Sequence, residues 1–159
     1  MEHSFIPGPV DVEDSILQAQ TKQQLPHRSK EFEEIFHSAE GKLRKVFYTD
    51  HRVFIHASSG TGFQESSVRN LVSGKMLSCV NGAFSKRFRD VGVTNGKDVT
   101  ELATEWNQPI SAELVAEALK KDKYDIITLV HNETSTGMVN PIPEIADAVR
   151  KVSPDTLIC

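Results

Sequence analysis

Two cysteines in 159 residues, Cys79 and Cys159, are too few for a disulfide framework, and both lie in apolar segments, MLSCV and DTLIC. Such placement fits reduced, buried thiols. Basic charge is not in excess either. The formal net charge is -4 and the pI is near 5.9, which excludes the basic footprint of a nucleic-acid-binding surface and leaves small molecules or proteins as partners. No apolar run reaches the ~18–20 residues needed to cross a bilayer. The amino terminus MEHSFIPGPV lacks the basic start and apolar core of a signal peptide. These absences predict a soluble, cytoplasmic protein with no membrane partner. Low-complexity tracts and internal repeats are missing as well, and two phosphate-binding signatures fail. No Gly-Lys-Ser/Thr follows the glycines at 60 and 62, which excludes a P-loop, and no third glycine arrives at the spacing of the dinucleotide fingerprint.

What is there is an alternation of apolar runs and amphipathic stretches in a chain long enough for one domain with a sizeable core. The segment PGPVDVEDSILQAQ opens on a Pro-Gly-Pro turn and reads as an extended arm followed by a short helix. Ser29 is placed to cap a packed helix whose Phe32, Ile35, Phe36, Ala39 and Leu43 recur on one face. From Arg52 the rhythm becomes strand, loop, helix: VFIHA as a strand, SGTG as its loop, and a helix carrying Val68, Leu71 and Val72. KMLSCV is the next strand, with a helix through Arg87 and Val91 behind it. VTELATEW gives a weaker strand signal, and Ser111 caps the helix AELVAEALKK. DIITLVHN has continuous apolar residues, as a strand covered on both faces of a parallel sheet requires. Beyond the loop ETSTGMVN, Pro141 fits the first turn of a helix with Ile142, Ile145, Ala146 and Val149 inward, and DTLIC begins another buried strand. The fold class is therefore α/β with a parallel-rich sheet. Residues 1–28 form an arm and 29–159 the α/β part. An ending on an apolar strand predicts that the native chain continues past Cys159.

Ligands of open α/β sheets gather at the carboxyl ends of the strands, and three loops there carry chemistry. In SSGTGFQES, Gly60 and Gly62 allow close backbone approach, Ser59 and Thr61 offer hydroxyls, and the helix that follows presents free N–H groups and a positive dipole end. The same residues also suit a tight strand-to-helix turn. In VNGAFSKRFRD, Asn81-Gly82 marks a turn, and Phe84 either joins the core or offers a flat face to a planar ligand. In HNETSTGMVNP, six consecutive polar residues from His131 to Thr136 crowd behind the most apolar strand. Asn140 alone would suffice to cap the next helix, so a ligand contact explains the crowding better. In LPHRSKEF, His27 and Arg28 can hold a carboxylate or phosphate, or simply lie at a solvated helix start.

As a set and in this order, SGTGFQES, VNGAFSKRF and HNETSTGMVNPI, preceded by PGP and HRSKEF, resemble the class V aminotransferases, fold-type I enzymes dependent on pyridoxal 5'-phosphate. The likeness is greatest to the alanine–glyoxylate, serine–glyoxylate and serine–pyruvate group, and it runs from Pro7 to Cys159. The resemblance implies that Thr61, Gly62 and Phe63 cradle the cofactor phosphate, that Phe84 stacks on the pyridine ring, and that Thr134 lies at the ring oxygen. Many relatives carry a tryptophan where Phe84 stands, and phenylalanine offers a smaller face. Glu133 and His131 are loop supports in this reading. HRSKEF is similar to a stretch of phosphoserine aminotransferases, which implies substrate contacts for His27 and Arg28, and the PGP turn resembles a segment over the active site, which brings in Gly8.

The resemblance also implies groups that none of these residues supplies. The family needs a lysine to hold the cofactor covalently and an acid to keep its pyridine nitrogen protonated. None of the eleven lysines stands in a matching position. The chain thus reads as the N-terminal, by itself inactive, part of a homodimeric transaminase moving an amino group between alanine or serine and a 2-oxo acid such as glyoxylate or pyruvate. The alternatives are a phosphoserine or aminoethylphosphonate transaminase, a related lyase or desulfurase, and a non-catalytic α/β module that binds a phosphorylated small molecule.

Overall fold

Ser29 starts a helix for the reason its position suggests: its hydroxyl oxygen accepts the Phe32 N–H at 3.2 Å, satisfying one orphan donor of the first turn. The computed structural model describes residues 3–6 and 8–159 and divides the chain into two units, Met1–Ala57 and Ser58–Cys159. Pro7, in the expected Pro-Gly-Pro turn, lies outside the described residues. The first unit contains helices α1 (Asp14–Ala19) and α2 (Lys30–Val46). The apolar stripe of α2 is present but largely uncovered rather than packed, with Ile35 59% exposed.

The strand expected at Val53–Ala57 does not form. A strand needs a neighbour for its backbone groups. Here the Val53 N–H turns instead to the buried carboxylate of Glu40, at 3.4 Å, which Arg44 also holds at 2.9 Å. Phe54 is correspondingly 75% exposed.

In the second unit the elements follow as α3 (Gly60–Leu71), β1 (Lys75–Val80), α4 (Ala83–Thr94), β2 (Asp98–Ala103), α5 (Ala112–Lys121), β3 (Ile126–Thr128), β4 (Asn132–Glu133), β5 (Met138–Val139), α6 (Ile142–Val152) and β6 (Leu157–Ile158). Four strands form one sheet in the order β2-β1-β3-β6, every pair parallel. The expected α/β fold is thus present. The chain moves from β1 to β2 on one side and then passes back across β1 to lay β3 on the other. The β1/β3 junction is therefore the switch point at which such sheets open a crevice.

Period-two alternation sends neighbouring residues to opposite faces. Met76 and Ile126 pack with Val68, Val72 and Phe88 beneath α3 and α4. Leu77, Cys79, Ile127 and Leu129 pack with Val115, Leu119, Ile145 and Val149 of α5 and α6. Burying each of these large side chains is worth roughly 1.5–3 kcal/mol. The continuous run around Ile126 and Ile127 is explained by this two-sided cover. β2 and β6 are edge strands, which accounts for the weaker signal of VTELATEW and leaves Leu157 47% exposed where a buried strand was expected. Both cysteines are free; Cys79 is buried and Cys159 half-buried. Among the described residues no helix is long and apolar enough to cross a membrane.

The α4 backbone sits close against the sheet at Gly92. A Cβ there would lie 2.5 Å from Met76 Sδ and 2.9 Å from Val99 Cγ2. Gly92→Val is therefore expected to lower the unfolding free energy by about 2 kcal/mol through overpacking, read from the urea midpoint. An unchanged midpoint would contradict the close approach.

Candidate functional site at the carboxyl edge of the sheet

The direction of α3 follows from its contacts at both ends. The Ser73 and Gly74 N–H groups, just past the helix, donate to the Asp125 carboxylate at 2.8 and 2.6 Å, at the amino end of β3. Ser67, in the middle of α3, meets the Cys159 thiol, and Cys159 accepts the Leu129 N–H at the other end of that strand. The helix thus runs antiparallel to the strands. Its N-terminus lies about 10 Å beyond Ser67, at a rise of ~1.5 Å per residue, over the carboxyl edge.

Thr61, Gly62 and Phe63 occupy the first turn of α3 behind Ser59, and no side chain caps it. The expected loop is thus the helix terminus itself. A Cβ on Gly62 would run into the Ser58 side chain, whereas one on Gly60 meets open space. The glycine at 62 therefore has a local steric reason in addition to any ligand.

The N-terminus of α4 is arranged differently. Glu133, 0% exposed, places its carboxylate on that turn. Oε2 accepts the Ser85 N–H and the Ser85 hydroxyl, both at 2.8 Å, and Oε1 accepts the Phe84 N–H at 3.3 Å and the Ser135 hydroxyl at 2.6 Å. The Ser135 oxygen in turn accepts the Ala83 N–H at 2.9 Å. Gly82 is required beneath this carboxylate, since a Cβ there would strike the Glu133 side chain and Ser135 Oγ. Burial pulls the Glu133 carboxyl upward, but the bonds from Ser135, from the Ser85 N–H and hydroxyl and from the Phe84 N–H outweigh it, holding the group below the ordinary carboxylate value.

What was read as the loop ETSTGMVN is a hairpin. β4 and β5 pair antiparallel, and the turn closes on Gly137 with φ +70°, a conformation glycine adopts without penalty. Thr134 is exposed at its tip, between Glu133 and Ser135. Asn140 is not a cap. Pro141 occupies the cap position of α6, and Asn140 lies buried at the switch point. There its Oδ1 accepts the Asn81 amide at 3.0 Å and the Ile110 N–H at 2.9 Å, while its Nδ2 donates to the Val130 carbonyl at 2.7 Å. This amide pair ties together the segments that follow β1, β2 and β3.

Phe84 is not core. It is 39% exposed at the start of α4, with the Arg87 guanidinium 5.4 Å from its ring centroid. Thr61, Gly62, Phe63, Phe84 and Thr134 all belong to elements that begin or turn at the carboxyl edge. Gly8, His27 and Arg28 belong to the first unit. Gly8 has open space around it, and His27 and Arg28 are exposed beside Ser29, where with Phe32 and Phe36 they line an open cavity of about 340 Å³. Sequence reasoning passed over Asn81, Ser85 and Asn140 as ligands of the local framework. A polar residue directly after an apolar strand was the one signal they offered.

A doubly wound parallel sheet thus carries, at its carboxyl edge, a helix terminus without a side-chain cap and a partly exposed aromatic ring beside Arg87, an arrangement able to receive a small anionic ligand. The family model "Aminotransferase class-V" matches residues 13–159, and the chain belongs to that family. It is 35% identical over 151 residues to the L-aspartate–glyoxylate aminotransferase of Paracoccus denitrificans, covering 91% of this chain and 38% of that one. Over 153 residues it is 33% identical to the serine–glyoxylate aminotransferase of Methylorubrum extorquens, covering 92% and 38%. Among solved structures, the Thermus thermophilus aspartate aminotransferase of subgroup IV superposes with a TM-score of 0.87 at 36% identity, over 96% of this chain and 43% of that one. The alanine–glyoxylate aminotransferase of a Nostoc species superposes with a TM-score of 0.88 at 29% identity, over 96% and 41%. The chain spans about two fifths of the length of these relatives.

A folded carboxyl held below its unfolded value stabilises the fold at pH values above the unfolded pKa of about 4.3, and that contribution is lost as pH falls through the folded value. Glu133→Gln should therefore cost about 2 kcal/mol at pH 7, and the gap to the wild-type protein should close below about pH 4. Thermal unfolding of both proteins from pH 3 to 8 reads this. A gap independent of pH would show that Glu133 is not ionised on α4.

Proposed function

We propose that this chain is the N-terminal part of the large domain of a pyridoxal 5'-phosphate-dependent transaminase that exchanges an amino group between a small amino acid, alanine or serine, and glyoxylate or pyruvate. In this reading residues 1–28 are an arm and residues 29–159 belong to the cofactor-binding domain. The enzyme acts as a cytoplasmic homodimer, to which the two free thiols of a reducing compartment are suited. The glyoxylate aminotransferases among its relatives support the substrate class.

One observation carries the reading: at the carboxyl edge the α4 terminus is filled by the protein's own Glu133 carboxylate, while the α3 terminus has no side-chain cap. A helix N-terminus attracts an anion through its N–H groups and dipole, so the phosphate belongs on Thr61, Gly62 and Phe63. Phe84, with an exposed ring, suits the flat pyridine, and Thr134 suits the ring oxygen. His27 and Arg28 would receive the substrate carboxylate, and Gly8 would lie over the substrate. When bound, the cofactor supplies the electron sink that transamination requires. The residues of this chain would bind it and orient it.

Thr61→Pro tests the phosphate seat. Proline is tolerated in the first turn of a helix but removes one N–H. Loss of a charge-assisted bond should weaken pyridoxal phosphate binding by about tenfold or more without lowering the melting temperature, and pyridoxal itself should bind equally to both proteins. Undiminished phosphate-ester affinity would refute the seat. In the complete enzyme, glyoxylate-dependent consumption of alanine or serine with formation of glycine is expected; turnover confined to phosphoserine or 2-aminoethylphosphonate selects the alternative substrate class.

A further inference from the structure

Neither Phe84 nor Thr134 is fixed by burial, since both are exposed, yet both are tied to one device. Glu133 accepts the backbone N–H of Phe84 itself and that of Ser85. Ser135 accepts a hydrogen bond from the Ala83 N–H and its hydroxyl donates one to Glu133. Thr134 is the residue between them. The hairpin tip and the first turn of α4 therefore share a single hydrogen-bonded clamp across the β1/β3 switch point, 48–52 residues apart in sequence. Gly82 lets the carboxylate pass where any side chain would block it.

We propose that Glu133 is a positioning residue: with Ser135 it sets the Phe84 ring and the Thr134 hydroxyl in fixed relation to each other, as two sides of one ligand slot, and by occupying the α4 terminus it keeps other anions off that turn. The ligand side of this inference rests on the pyridoxal phosphate reading; the clamp itself does not. Glu133 touches no ligand in this account. It acts through the backbone of Phe84. Glutamine in its place would set an amide NH₂ against N–H donors, releasing Phe84 while leaving the two core clusters, which lie on the sheet faces, in place.

Two measurements keep the clamp and the ligand reading apart. The first is amide hydrogen exchange on the ligand-free chain, in wild type, Glu133→Gln and Ser135→Ala. The Phe84 and Ser85 amides should gain at least tenfold more exchange in Glu133→Gln than the β1 amides of Met76 to Cys79, which follow the global loss of stability, and Ala83 should do so in Ser135→Ala. Equal protection of Phe84 and Ser85, or uniform loss that includes β1, overturns the clamp whatever the ligand is. Ser135 is exposed, so its variant retains the fold and reports even where Glu133→Gln does not. The second is a double-mutant cycle of pyridoxal phosphate affinity with Phe84→Ala. If Glu133 acts through Phe84, Glu133→Gln weakens binding about tenfold in the wild-type background and less than twofold in Phe84→Ala. Additive losses overturn the positioning role. The cycle is measured in the complete enzyme; a complete enzyme that does not bind the cofactor refutes the proposed function and leaves the exchange result to judge the clamp.

Discussion

A carboxylate without exposed surface lies on the first turn of α4, and the geometry of the carboxyl edge depends on it. Glu133 reaches across from the segment after β3 to the segment after β1, where three donors hold it, with the hydroxyl of neighbouring Ser135 as the fourth. A buried charge is tolerated only when hydrogen-bonded on most sides, and the two serines together with two backbone N–H groups meet that demand. Gly82 follows as a consequence, because the carboxylate occupies the space of its absent side chain. The Asn81–Asn140 pair completes the arrangement beneath it by drawing in the Ile110 N–H and the Val130 carbonyl, so that the segments after three parallel strands meet at one point.

This constraint also separates the α3 and α4 termini electrically. Each presents partial positive charge of about half an elementary charge. That of α4 is neutralised from within, and that of α3 is met by no side-chain cap. An anion arriving at the carboxyl edge would be repelled by Glu133 at one terminus and received at the other. On the sheet that buries Met76, Leu77, Ile126 and Ile127, the exposed Phe84 ring thus stands on a terminus already occupied by a carboxylate.

The elements legible in the sequence are those whose causes are local or two-sided. Ser29 and Ser111 cap helices through bonds to N–H groups three residues away, a relation that spacing alone reveals. Ile126 and Ile127 read as a buried strand because both faces of the sheet are covered. Val53-Phe54-Ile55 has the same composition but no partner strand, and its backbone turns to Glu40 instead, which no local pattern could disclose. The hairpin of β4 and β5 is built from strands of two residues each, too short for any periodicity. Phe84 is open between core and ligand face in the sequence, and its exposure removes the core reading. Asn140 was misread because its partners, Asn81 and Ile110, are 59 and 30 residues distant. Much of the polar crowd from His131 to Thr136, read as a ligand contact, serves the framework: Glu133 and Ser135 face α4, and Thr136 bonds back to the Glu133 carbonyl.

The central claim is that α3, and not α4, seats the phosphate. Titrating the ¹⁵N-labelled chain with pyridoxal phosphate and following its amide resonances tests this residue by residue. The account predicts that the largest shifts fall on Thr61, Gly62 and Phe63, with smaller ring-current shifts near Phe84 and no displacement of the Ser85 amide from its bond to Glu133. Shifts centred on Ala83 to Ser85, with Thr61 to Phe63 unmoved, would contradict it.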